Sequence, residues 1–234
     1  MNTPFYLFLL RVVFIIWTYM TIKTILFDFD GVVVDSERLH LRALGEVLHN
    51  HGISYPNDLL NDFVGKSDSM FYQYVIDNLN SSYELDYLLK QKNKIFNKLV
   101  CELQPIDGFL DFIDVVMQKN ISRAIITSSS EETLKMISEI FPFQNYFDIV
   151  VCEEDTTEHK PHPAPYLLGL ERTGGEKETT LIIEDSANGI KAGKSAGCIV
   201  FGLTTSLPRK PLLEAGADKV FDSYKEISDF IHFE

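Results

Sequence analysis

Apolar and polar residues follow two different rhythms along this chain. Residues 25–27 (Ile-Leu-Phe) form a short apolar run, which reads as a strand buried on both faces. Gly31 lets the backbone leave that strand sharply. From there to about residue 103 the spacing is helical. Leu41, Leu44, Val47 and Leu48 share one face of a predicted helix over 37–50, capped by Asp35 or Ser36 and stopped near Gly52. A second helix follows a Ser67-Asp68 start and carries Met70, Phe71, Tyr74, Val75 and Leu79. A third spans 83–100, and nothing in this block reads as a strand.

From residue 104 onward the two rhythms alternate. Predicted strands at 123–127, 148–152, 180–184, 198–202 and 219–221 are separated by predicted helices at 131–141, 165–172 and 188–196. A helix over 108–119 precedes them and a short one closes the chain. Strands joined by helices of this length form right-handed βαβ units and a parallel sheet covered on both faces. The expectation is an α/β protein with a Rossmann-like parallel-sheet core, made of residues 21–34 and 104–234. A small all-helical cap, residues 35–103, is inserted after the first strand.

Residues 4–20 are almost wholly apolar. That is the lower limit for a membrane span, and Arg11 near the middle would cost roughly 2.5–3.5 kcal/mol on insertion scales. A buried strand also begins within a few residues of Met20, leaving little linker to a bilayer. Residues 1–20 are therefore expected to lie outside the fold of a cytoplasmic protein, with a membrane tether through residues 4–20 as the alternative.

Composition narrows the chemistry. A net charge of −13 without a basic patch argues against nucleic acid as a partner. The three cysteines, Cys101, Cys152 and Cys198, have no metal-ligand spacing and read as reduced.

Candidate chemistry gathers at the strand ends. Asp28 and Asp30, two apart at the end of the first strand, point to the same side. Two close carboxylates repel unless a cation sits between them or one keeps a proton. Thr127 and Ser128 end the second strand, Glu184-Asp185 ends the fourth, and Lys160 lies in the loop leading to the fourth. In a parallel sheet all these ends share one edge, where α/β crevices lie. Hydroxyls beside helix-start N–H groups cradle phosphate, the lysine offsets moving charge, and the acidic pairs suit an oxygen-only site for Mg²⁺.

Asp28-Phe-Asp-Gly-Val, Ile126-Thr127-Ser128, Lys160-Pro161 and Ile183-Glu-Asp-Ser186 together resemble the four motifs of the haloacid dehalogenase superfamily. The helical insert is similar to the cap of its β-phosphoglucomutase-like and sugar-phosphate phosphatase subgroup. The resemblance implies that Asp28 is the nucleophile, forming an aspartyl-phosphate, and that Asp30 is the general acid and base. It implies that Thr127 and Ser128 bind the phosphoryl group and that Lys160 neutralises charge. Asp28, Asp185 and the Asp30 carbonyl would hold Mg²⁺, with Glu184 acting directly or through water. With Asp30 present, phosphoryl transfer is favoured over dehalogenation.

In the cap, His40 and the pair Lys92-Asn93 match substrate-contacting positions of the mutases. Asp68 stands where they carry an arginine, with Lys66 as a possible substitute charge. Ala164 replaces the family's usual aspartate in the loop after Lys160. The expected activity is a Mg²⁺-dependent phosphatase acting on a small phosphorylated metabolite, most plainly a sugar phosphate. A phosphosugar mutase and a non-catalytic binding module are the alternatives.

Overall fold

The apolar run that opens the chain's alternating half is its central strand. In the computed structural model, which describes residues 21–64, 67–79, 82–231 and 233, β1 (Thr24–Phe27) is buried along its whole length. It pairs in parallel with β2 (Ser122–Ile126), Ile25 opposite Arg123, and with β4 (Thr180–Glu184), Ile25 opposite Leu181. With β3 (Val150–Val151), β5 (Ile199–Leu203) and β6 (Lys219–Phe221) the sheet order is β3-β2-β1-β4-β5-β6, every pair parallel. The chain builds outward from β1 to β3, then returns to lay β4 on the other side of β1. Crevices in open α/β sheets form at such a reversal.

Alternation along β1 supplies a core to each face of this Rossmann-like sheet. Ile25 and Phe27 join one cluster and Leu26 the other. Phe27 meets Phe109, Phe112 and Phe147 edge-on, with ring centroids 6.1, 6.2 and 5.3 Å away. Burying each such ring is worth roughly 1.5–3 kcal/mol. The flanking helices are α4 (Phe109–Gln118), α5 (Glu131–Ser138), α6 (Ala164–Thr173), α7 (Ala187–Ser195), α8 (Arg209–Glu214) and α9 (Tyr224–Phe230).

Between β1 and β2 the described residues form α1 (Glu37–Asn50), α2 (Asp68–Asn78) and α3 (Leu85–Leu99), with short 3-10 turns and no strand. Leu44, Val47, Leu48, Phe71, Val75 and Leu88 give these helices a core of their own. The chain leaves and re-enters the sheet layer along one line. Asp35 N donates to the Gln104 carbonyl at 2.9 Å and Ile106 N to the Val33 carbonyl at 3.0 Å.

Several elements differ from expectation. The strand predicted at 148–152 keeps only two paired residues, opposite Ile125 and Ile126, because it is the sheet's edge and has one neighbour. The helix predicted over 131–141 stops at Ser138, freeing Phe141 and Phe143 to bury beneath it. Helix α8 was not expected, since Pro208 stands just before its six residues and Pro211 within them. Ser36 precedes α1 but its side chain does not cap it. At α6 the Ala164 N–H donates to His162 Nδ1 (3.2 Å), so an imidazole serves where a carboxylate was missing. Among the described residues no helix is long and apolar enough to cross a membrane. Residues 1–20, on which the tether alternative rests, lie outside the described residues.

Candidate active site

The strand ends converge as their order in the sheet requires. Asp28 follows β1, and its Oδ1 accepts a hydrogen bond from Lys160 Nζ at 2.5 Å. The same ammonium donates to Glu184 Oε1 at 2.8 Å and to the Ile126 carbonyl at 2.9 Å, so one cation ties together the ends of β1, β2 and β4. Glu184 is fully buried and both its oxygens are engaged. Oε1 also accepts from Tyr166 Oη (3.0 Å), while Oε2 accepts from Asp185 N (3.0 Å), Ser186 N (2.9 Å) and Ser186 Oγ (2.9 Å). A helix glycine makes this possible. A Cβ on Gly189 would lie 1.5 Å from Glu184 Oε1.

Asp185, the next residue, faces the same space. Ser206 Oγ, in the loop after β5, donates to its Oδ2, and Thr205 Oγ1 donates to the Gly31 carbonyl at 2.5 Å. Gly31 has φ +76°, and a Cβ there would stand 1.8 Å from Asp185 Oδ2. The glycine after Asp30 therefore serves both the turn and the close approach of Asp185.

Asp28, Glu184 and Asp185 each bring a carboxylate oxygen within 4.8 Å of the others. Three buried carboxylates face one ammonium, so negative charge is in excess. Burial pushes the Asp28 carboxyl up to about 8, against the pull of Lys160. Burial, followed by the Asp28 and Glu184 charges, holds the Asp185 carboxyl well above its ordinary range. Although burial disfavours its charge, Lys160 stays protonated far up the pH scale because Asp28 and Glu184 surround it. A divalent cation fits this donor set in both charge and oxygen chemistry. Glu184, with five donors already on it, has less room for such an ion than Asp28 or Asp185.

Asp30 lies beside them but keeps different company. Ser36 Oγ donates to its Oδ1 at 2.5 Å, and Ser129 Oγ and Thr127 Oγ1 donate to its Oδ2 at 2.7 and 3.4 Å. Ser36 thus reaches back to the strand end instead of capping α1. Ser129 N in turn donates to Thr127 Oγ1 at 2.9 Å, which fixes the turn after β2. A cavity of about 410 Å³ opens over these groups, lined among others by Asp28, Asp30, Ser128, Lys160, Asp185 and Ser206.

A second cavity of about 280 Å³ shares Asp30, Glu37 and Ser128 with the first and runs under the helical block. His40 lines it. Lys92 does not: its side chain is 2% exposed, lying behind His40 and Asp68. Its Nζ donates to His40 Nδ1 at 2.6 Å and pairs with Asp68 Oδ2 at 2.6 Å. His40 stacks on Phe96, centroids 4.1 Å apart. Burial and the adjacent Lys92 charge push the His40 imidazole down to about 4. Asn93 is exposed and lines neither cavity. Lys66 lies outside the described residues.

Ser36, Tyr166, Thr205 and Ser206 went unnoticed as site residues in the sequence. Thr205-Ser206 follow a strand ending at the same sheet edge. Tyr166 gave no signal beyond the apolar face of its helix.

The haloacid dehalogenase-like hydrolase family matches residues 25–203. A phosphorylated carbohydrates phosphatase from Thermotoga maritima is 32% identical over 83% of this chain and 92% of its own length. The fructose-1-phosphate phosphatase YqaB of Escherichia coli is 27% identical over 74% of this chain and 92% of its own length. A crystal structure assigned as a β-phosphoglucomutase from Thermotoga maritima superposes with a TM-score of 0.77 at 28% identity, covering 90% of this chain and all of that one. The chain belongs to the haloacid dehalogenase-like hydrolases.

Proposed function

We propose that this hydrolase is a Mg²⁺-dependent phosphatase of small phosphomonoesters, sugar phosphates foremost, working through an aspartyl-phosphate on Asp28. The observation that carries the reading is the single ammonium of Lys160 drawing Asp28 and Glu184 together beside Asp185, at the floor of a cavity that Ser128 also lines. The phosphatase names of similar proteins support it. Asp28, Asp185 and the Asp30 carbonyl would hold Mg²⁺, with Glu184 acting directly or through water. When bound, the ion would offset the charge of the carboxylates and of the substrate phosphate.

In the first step Asp28 attacks phosphorus, an O–P bond forms, and the ester P–O bond breaks. The leaving oxygen takes a proton from Asp30. Asp30, now a carboxylate, then deprotonates a water that attacks the acyl phosphate, releasing inorganic phosphate and restoring Asp28. Thr127 and Ser128 steady the phosphoryl oxygens, and Lys160 stays beside Asp28 as charge moves on and off it. The block of residues 35–103 serves as a cap over the crevice, excluding bulk water. A cytoplasmic setting agrees with three unpaired cysteines.

Turnover of p-nitrophenyl phosphate with and without Mg²⁺ is the test. Activity should need the ion, and Asp28→Asn should lower kcat by about three orders of magnitude or more. Full turnover by Asp28→Asn would end the assignment. Given β-glucose 1-phosphate and a bisphosphate primer, the protein should release phosphate and form no glucose 6-phosphate, which separates it from a mutase.

A further inference from the structure

The second cavity leads from the phosphate end of the site to where the rest of a substrate must lie. Asp30, Glu37 and Ser128 line the end it shares with the first cavity, and Ser67, Asp68, His40 and Ser129 supply the rest of its polar lining, with Leu44 and Phe63 beside them. No lysine or arginine among the described residues lines it. Among the described residues, Lys92 lies behind this wall, buried and turned onto Asp68 and His40, with its Nζ also 4.9 Å above the Phe96 ring. Its charge is already met by a carboxylate at salt-bridge distance.

What remains on the cavity wall is chemistry for hydroxyls. Asp68 accepts hydrogen bonds and cannot donate them when ionised. His40 receives the Lys92 proton at Nδ1, which leaves Nε2–H as a donor. Ser67 Oγ accepts from Met70 N (3.3 Å) and keeps its own proton to give. A sugar or polyol hydroxyl both donates and accepts, and so matches all three. A phosphate or carboxylate only accepts, and would meet the Asp68 and Glu37 charges with no lysine or arginine of the described residues on the wall to offset them.

Resting on the phosphatase reading, we propose that Asp68, by holding the Lys92 ammonium, sets the selectivity of this pocket. It admits phosphomonoesters whose far end is neutral and hydroxyl-bearing, and it turns away a second phosphate or a carboxylate. Repulsion does part of this work and sequestration of the cation does the rest.

Binding measured without turnover tests the inference apart from the chemistry. Isothermal titration of the Asp28→Asn protein, with Mg²⁺ present, compares fructose 1-phosphate with fructose 1,6-bisphosphate. The first should bind at least about tenfold more tightly. Adding Asp68→Asn, or Asp68→Ser if the amide misfolds, should close that gap by about tenfold, chiefly by tightening the bisphosphate. Adding Lys92→Met as well should take the gain away, because the released ammonium is its source. A bisphosphate bound as tightly as the monophosphate before any change at Asp68 overturns the proposal. So does a ratio that Asp68→Asn and Asp68→Ser leave unmoved, or the absence of binding by either sugar. Turnover of fructose 1-phosphate by the unaltered protein is read in parallel. If it is absent while the binding ratios behave as stated, the phosphatase reading fails and the selectivity stands.

Discussion

Replacing Gly189 with alanine sets two physical effects against each other. Gly189 lies in the first turn of α7, where alanine is the better helix former by about 1 kcal/mol. On propensity alone Gly189→Ala should stabilise the protein. The site says otherwise. The new Cβ would stand 1.5, 1.9 and 2.4 Å from Oε1, Cδ and Oε2 of Glu184, a side chain with no exposed surface. To admit it the carboxylate must move, and five hydrogen bonds move with it, including the one from Lys160. Disrupting a buried charge pair costs about 3–5 kcal/mol, and overpacking alone about 1–3. After the helix gain is subtracted, a net loss of roughly 2 kcal/mol or more is expected, a fall in Tm of about 4–8 °C for a chain of this size. Urea unfolding and calorimetry of Gly189→Ala read this directly. Gly45→Ala, whose Cβ would approach nothing closer than 3.1 Å, serves as the helical comparison. A Gly189→Ala protein as stable as its parent would show that Glu184 is not held as described.

Tyr166→Phe removes the hydroxyl that donates to Glu184 Oε1 and should cost about 1.5–3 kcal/mol, the range for hydrogen bonds to charged groups. An unchanged urea midpoint would remove Tyr166 from the support of Lys160. Tyr72→Phe should do the reverse. Its hydroxyl is buried with no partner among the described residues, so its loss should be neutral or stabilising by up to about 1 kcal/mol, and a drop in Tm would reveal a hidden partner. His40 gives a pH signature. With its folded-state pKa pushed from 6.5 down to about 4, its contribution is complete above about pH 6.5 and is lost as the pH falls toward 4, because the unfolded chain takes up the proton first. His40→Asn should flatten the stability profile over that window, and an unaltered slope there would count against a buried neutral imidazole.

The strand ends were legible because a parallel sheet leaves little choice. Once Asp28, Thr127, Lys160 and Glu184 stand next to strands of one sheet, they share an edge. The bounds of α1 and β4 followed from uninterrupted periodicity. What failed to read was whatever depended on which neighbour wins a contested group. Ser36 carries a good capping side chain, yet it serves a carboxylate six residues earlier. Lys92 carries a charge suited to substrate, yet Asp68, far away in sequence, claims it. Short elements read poorly for a different reason. The six residues of α8 are too few for a period to show, and β3 was expected but runs to only two of its five predicted residues.

The seam between Val33–Asp35 and Gln104–Ile106 has a consequence for how the protein can change. Both passages between layers run side by side, so nearly seventy residues hang from the sheet by what amounts to one fastening. Sequence drift inside that loop can redraw the shape of the entrance while leaving every residue behind β1, β2 and β4 in register. On the proposed reading, the chain is divided into a part that decides whether a bond is cut and a part that decides whose.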